Sequence, residues 1–212
     1  EPLTRETVGD IVNRGGTILG SARLPEFKDI EVRKKAIAQL KKRGIEAVVV
    51  IGGDGSYRGA LSLTEMGINC IGLPGTIDND IACTEYTIGY DTAMNTVVEM
   101  VDKLRDTTQS HDRCSVVEVM GRGAGYIALN AGIACGATYV ITSEIPYDLD
   151  KVAKKMLESR KTGKQHFIIV VSEGVGHSDE IARTLQDKTG IEARTTILGH
   201  VQRGGAPTVR DR

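Results

Sequence analysis

Two glycine-rich loops carry three aspartates: Asp54 in GGDGS (52–56), and Asp78 and Asp80 in GTIDND (75–80). Three later loops carry Arg122 in GRGAG (121–125), Glu173 in SEGVG (172–176), and His200 and Arg203 in HVQRGG (200–205). Acids early and cations late suit a metal nucleotide on one side and an anionic substrate on the other. In GGDGS the glycines let the backbone approach a phosphate, the helix starting near Ser56 offers its first amides, and Asp54 can hold Mg²⁺ directly or through water. An ordinary strand-to-helix turn with a capping Asp would look the same. Asp78 and Asp80 stand at i and i+2, so an extended loop puts both carboxylates on one side, close enough to shift each other's ionisation. One can accept a hydroxyl proton while the other positions the metal or the base; Asp-Asn-Asp is equally good turn chemistry. Arg113, Arg122, Arg194 and Arg203 lie near strand ends, where planar guanidinium forks suit phosphate oxygens, though any one alone reads as a solvated charge. Glu173 can accept from sugar hydroxyls, and His200 is as well suited to a structural role as to ligand contact.

Each of the five loops ends a run that reads as a β-strand. In an open α/β sheet ligands bind beyond the carboxyl ends of the strands, so the loops describe one composite site. The spacing predicts helices over 4–13, 30–43, 56–66, 91–107, 123–135, 149–160 and 179–188 and strands over 46–51, 69–73, 114–119, 138–141, 166–171 and 194–198. Asp29 is suited to cap the second helix and Gly44 to follow it. The Val-Val-Val-Ile run at 48–51 lacks polar alternation, as in a parallel strand covered on both faces. The long helix 91–107 is expected to link two lobes. This βαβα alternation makes the chain α/β, two Rossmann-like lobes with mostly parallel sheets flanked by helices.

Twenty-seven basic against 28 acidic residues leave a formal charge of −1, so no global field points to nucleic acid or an anionic membrane. The longest apolar runs, AVVVI (47–51) and FIIVV (167–171), are far short of the roughly 20 residues a membrane span needs. Cys70, Cys83, Cys114 and Cys135 show no metal spacing and lie among apolar or small residues, which predicts buried free thiols and a cytoplasmic location.

Taken in order, GSAR (20–23), GGDGS, LPGTIDND (73–80), GYDTAMN (89–95), MGRGAGYIAL (120–129), SEG (172–174) and GHVQRGG (199–205) resemble the bacterial-type ATP-dependent 6-phosphofructokinase family over nearly the whole chain. The resemblance implies the phosphofructokinase fold and transfer of the ATP γ-phosphoryl to the 1-hydroxyl of fructose 6-phosphate. It implies Asp78 as the base with Asp80 beside it, Asp54 on Mg²⁺, Gly53, Gly55 and Ser56 along the ATP phosphates, and Arg23 and Thr76 at the transferring phosphate. Arg122 would neutralise developing charge, while Met120, Gly121 and Glu173 would line the sugar. His200 and Arg203 would bind the sugar phosphate, joined by Arg113 and Arg194 from a neighbouring subunit, which implies a homotetramer with shared sites. Residues 1–89 plus 202–212 would form the nucleotide/Mg²⁺ lobe and 90–201 the sugar-phosphate lobe. ADP or phosphoenolpyruvate would act as effectors through Arg105, Gly136 and Lys164.

Glycine at 55 and 75, where pyrophosphate-using members carry Asp and Lys, implies ATP as donor, because an Asp at 55 would repel and obstruct an α-phosphate. Thr138 and Thr162 stand where effector-binding members carry an acid and a lysine, which implies weak regulation. Family chains also begin with a strand and a phosphate loop that precede residue 1 here, so the sequence is expected to be an internal fragment with an incomplete nucleotide lobe and impaired turnover. Two rival readings are a GGDG kinase acting on NAD or a lipid, which has no use for the sugar-binding set, and a non-catalytic module, which would tend to have lost one of Asp54, Asp78, Asp80 and Arg122.

Overall fold

A computed structural model describes residues 2–212, which form two compact units, 16–76 with 81–88, and the stretch up to Gly15 with 77–80 and 89–212. The chain is α/β throughout. In the smaller unit a 3-10 turn (Pro25–Lys28) leads into α1 (Ile30–Lys42), β1 (Ala47–Gly52), α2 (Asp54–Glu65) and β2 (Asn69–Pro74). Asp29 caps α1 as its sequence position predicts, its carboxylate accepting from the Glu31 amide at 2.9 Å. β1 and β2 pair in parallel from Ala47↔Asn69 to Gly52↔Pro74. Ile37 of α1, Leu63 of α2 and Ile68 form a small core against Val48 and Cys70. Only this face is covered: Val49 and Ile51 are 60% and 57% exposed and Ile71 64%. The predicted two-sided cover of β1 therefore does not hold, because one helical layer packs on a two-stranded sheet.

The larger unit contains α3 (Tyr90–Ser110), β3 (Cys114–Val119), α4 (Tyr126–Ala134), β4 (Tyr139–Ile141), α5 (Leu149–Lys161), β5 (Phe167–Ser172), α6 (Ser178–Thr189), β6 (Ala193–Ile197) and a 3-10 turn (Gly199–Arg203). Its sheet is all parallel in the order β4-β5-β3-β6. β5 is buried along its whole length, as an uninterrupted FIIVV run should be when helices cover both faces. Phe167, Ile169 and Val171 pack with Val152 and Met156 of α5 and Leu185 of α6. α3, expected to link lobes, belongs whole to this unit; the chain passes between units at 15–16, 76–77, 80–81 and 88–89. The stretch 202–212, placed by the resemblance with the nucleotide lobe, clusters here as well. The reason is Asp211, whose carboxylate accepts from the Gly89 amide at 3.0 Å and the Thr92 amide at 2.8 Å, capping α3 from 119 residues away where α3 has no cap of its own.

Residues 4–13 do not form the predicted helix. They make isolated turns, Val8 N–H to the Thr4 carbonyl and Arg14 N–H to the Ile11 carbonyl, because Gly9 interrupts a segment that buries no face. All four cysteines are free, but only Cys114 and Cys135 are buried; Cys70 is half-buried and Cys83 exposed. Burial pushes the Cys114 thiol up to about 12. Maleimide at pH 8 should therefore modify Cys83 first and leave Cys114 intact until unfolding, which peptide mapping of the labelled chain checks.

Candidate functional site

In the smaller unit the phosphate-type loop is almost no loop at all. β1 ends at Gly52, Gly53 is the N-cap and Asp54 already opens α2. Gly53 accepts from the Ser56 and Tyr57 amides at 3.0 and 3.1 Å, and a Cβ on Gly52 would collide with the Ser56 hydroxyl. The turn is thus closed by small residues, and open space surrounds Gly55. The Asp54 carboxylate pairs with Arg58 one turn later at 3.0 Å, with both side chains more than half exposed. Such an exposed pair contributes at most about 1 kcal/mol and exchanges readily for another partner. Among the described residues no group of three or more His, Cys, Asp or Glu gathers to hold a metal. A lone exposed carboxylate at a helix start still fits Mg²⁺, which commonly takes one or two carboxylates and completes its shell with water and nucleotide phosphates. The Thr76 carbonyl accepts from the Thr87 hydroxyl at 2.7 Å, and Arg23 lies on the exposed stretch before the first 3-10 turn.

The larger unit brings the loops after β3, β5 and β6 together with residues 77–80. Asp78 and Asp80 do not share one side of an extended loop. Asn79 between them is left-handed at φ 54°, which turns the chain, and Asp78 is 13% exposed at its side chain whereas Asp80 is exposed. Arg122 faces Asp78, its Nε 3.8 Å from Oδ2. Its backbone is also left-handed, φ 55°, in a turn closed by the Ala124 amide on the Gly121 carbonyl at 2.9 Å. Gly121, at φ 143°, is required here because a Cβ would strike the Ala124 carbonyl. The Arg122 amide donates to the Glu173 carboxylate. Glu173 in turn is fixed by its own amide on the Val119 carbonyl at 2.8 Å. Glu173, expected only as a sugar contact, therefore also shapes the turn that presents Arg122.

Sequence reasoning missed Gln202. It is 1% exposed, accepts from the Met120 amide at 3.2 Å and donates to the Gly199 carbonyl at 3.0 Å, tying the β3 loop to the turn that carries His200 and Arg203. Its only signal was a polar residue inside a glycine-bounded turn. Arg113 and Arg194 are not brought to this cluster. They sit at the amino ends of β3 and β6, about 20 Å away by the length of a six-residue strand, and both bind Glu192.

Arg105, Gly136 and Lys164 gather at another place in the larger unit. Arg105 donates to the Cys135 carbonyl beside Gly136, which is left-handed at φ 61°. Burial, then Arg105 and Lys155, lowers the Lys164 ammonium, and burial, then Lys164 and Arg105, lowers the His166 imidazole. Lys155 and His166 thus join a basic cluster that the sequence did not assign. The Thr138 hydroxyl is buried without a hydrogen-bond partner, and the Thr162 hydroxyl donates to the Ser159 carbonyl at 2.8 Å. A histidine lowered by folding binds fewer protons than the unfolded chain once pH drops below its ordinary 6.5, so its contribution is present above that value and lost as pH falls. Denaturant melts between pH 7.5 and 5.5 should show this loss, and His166→Gln should flatten the slope by less than one proton's worth.

The sequence matches the Phosphofructokinase family over residues 1–212. It is 58% identical over 209 residues to ATP-dependent 6-phosphofructokinase 1 of Clostridium perfringens, covering 99% of this chain and 66% of that protein. To the ATP-dependent 6-phosphofructokinase of Vibrio campbellii it is 57% identical over 212 residues, covering 100% and 66%. The phosphofructokinase of Saccharomyces cerevisiae superposes with a TM-score of 0.91 at 36% identity, covering 99% of this chain and 32% of that one. The chain thus spans 66% of the length of these curated relatives. With the parallel sheets and glycine-closed loops described above, this match over its full length places the chain in the phosphofructokinase family.

Proposed function

We propose that this chain transfers the γ-phosphoryl group of ATP to the 1-hydroxyl of fructose 6-phosphate, giving fructose 1,6-bisphosphate and ADP, a glycolytic step in the cytoplasm. The observation that carries the reading is the Asp78–Arg122–Glu173 arrangement: a largely buried carboxylate 3.8 Å from a guanidinium whose backbone is held by a second carboxylate. Asp78 accepts the hydroxyl proton, and its low exposure keeps water from competing. Arg122, exposed and no closer than 3.8 Å to Asp78, meets the charge on the moving phosphoryl. Glu173, Met120 and Gly121 line the sugar, and His200 and Arg203 take its phosphate. On the donor side Gly53, Gly55 and Ser56 offer a helix start to the nucleotide phosphates, Asp54 would hold Mg²⁺ in place of Arg58, and Arg23 and Thr76 complete the polar set, while Asp80 stands beside the base Asp78. When bound, the metal would neutralise phosphate-oxygen charge.

Arg113 and Arg194, a strand's length from His200 and Arg203, are then best used on a neighbouring copy's substrate. Self-association is supported by α4, whose Tyr126, Leu129 and Ile133 form an exposed apolar stripe on a helix that is apolar on its buried side too. Sedimentation velocity tests the homotetramer, and a monomer at every concentration would count against it. The Arg105, Lys155, Lys164 and His166 cluster is suited to an anionic effector such as ADP or phosphoenolpyruvate.

³¹P NMR of the chain with fructose 6-phosphate, Mg²⁺ and ATP tests the reaction. Growth of the bisphosphate and ADP signals is the expected result. An unperturbed sugar-phosphate resonance and no product would overturn the reading.

A further inference from the structure

Arg113 and Arg194 come from adjacent parallel strands, and like charges so placed should repel. Instead both are drawn onto one carboxylate. Arg113 Nε lies 2.7 Å from Glu192 Oε2, and Arg194 puts Nε at 2.8 Å and a terminal nitrogen at 2.6 Å from Oε1. Glu192 is itself anchored, since its carbonyl accepts from the Cys114 amide at 2.9 Å. These bonds hold the Glu192 carboxyl below its ordinary range, the Arg113 bond first. Arg113 meets this carboxylate through Nε, and a guanidinium carries five N–H donors, so further donors of Arg113 can meet a second anion.

We propose that Glu192 is the positioning residue of a two-arginine clamp for the phosphate of the sugar substrate, fixing Arg113 and Arg194 side by side before the ligand arrives. The inference rests on the sugar-phosphate reading given above. Two guanidinium charges less one carboxylate charge leave the clamp at +1. Two opposing effects decide what Glu192 does for binding. Its charge repels a phosphate dianion about 6 Å away, which in water costs about tenfold in affinity unscreened and only about threefold at physiological salt. Freezing two long side chains at the moment of binding costs more, about tenfold for the pair together. Preorganisation therefore wins, and removing the carboxylate weakens binding although it makes the site more positive. Glu192 is half-exposed, and exposed ion pairs contribute little to folding, so a merely structural role would leave phosphate affinity untouched.

The test is a ³¹P NMR titration of the chain with fructose 6-phosphate and, separately, inorganic phosphate. Relative to the native chain, Glu192→Gln should bind both about three- to tenfold more weakly at an unchanged melting temperature. Glu192→Asp, which keeps the charge but shortens the reach, should recover part of the loss. Equal or tighter binding by Glu192→Gln would overturn the clamp and make the carboxylate a competitor, while leaving the sugar-phosphate reading in place. Failure of the native chain to bind fructose 6-phosphate would remove that reading and the clamp with it.

Discussion

Replacing Asp78 with Ser is expected to lower turnover on the order of 10³-fold while leaving affinity for fructose 6-phosphate within about threefold. The asymmetry follows from the geometry. Asp78 is 13% exposed at its side chain and faces Arg122, whereas Met120 and Glu173, proposed to line the sugar, are held by contacts that do not pass through it, the Gln202 bond to Met120 and the Val119 carbonyl for Glu173. A base acts on the proton that moves only in the transition state, so its loss appears in turnover rather than in ground-state binding. Steady-state kinetics with paired binding titrations check this, and a variant that turns over as fast as the native chain would exclude Asp78 as the base.

Gly174→Ala should be nearly as damaging, although Gly174 touches no reacting atom. A Cβ there would lie 2.6 Å from the Arg122 carbonyl oxygen and 3.0 Å from the Ser143 hydroxyl, closer than packed atoms allow. Ser143 can rotate, but the Arg122 carbonyl is backbone in a left-handed turn already pinned by Glu173. The added methyl must push that turn outward, which moves the guanidinium away from Asp78. An error of about 1 Å at a reacting group costs on the order of 10²-fold in rate, and overpacking costs about 1–3 kcal/mol of stability. Both should fall together in kinetics and thermal melts; if neither moves, the Arg122 turn is not held in the way described.

Much of this architecture was legible because strands and caps are local signals. The span predicted for β3, 114–119, agrees with Cys114–Val119, and Asp29 caps α1 as its position suggested. Residues 4–13 misled because helical spacing predicts a helix only if some face has a surface to bury against, and this segment has none. Asp78 and Asp80 were legible as residues but not as geometry, since spacing alone cannot foresee that Asn79 adopts φ 54°. Gln202 and Glu192 escaped notice for a shared reason. Each acts by joining elements distant in sequence, 82 residues for the Gln202–Met120 bond and 79 for Glu192–Arg113, and a glutamine or glutamate carries no local mark of such a partner. Cys83 was misjudged because apolar neighbours in sequence say little about burial on a loop.

The Asp211 bonds to α3 set an order of events during synthesis. The smaller unit closes its sheet and helical cover within residues 16–88, so it can fold while the ribosome is still extending the chain. The larger unit cannot finish so early. The first turn of α3, at Gly89 and Thr92, keeps open amides until a carboxylate made 119 residues later arrives. The nascent chain therefore carries a frayed helix start next to its Asp78 loop until Asp211 has been made, and closure of that long loop, rather than any local step, completes the first turn of α3.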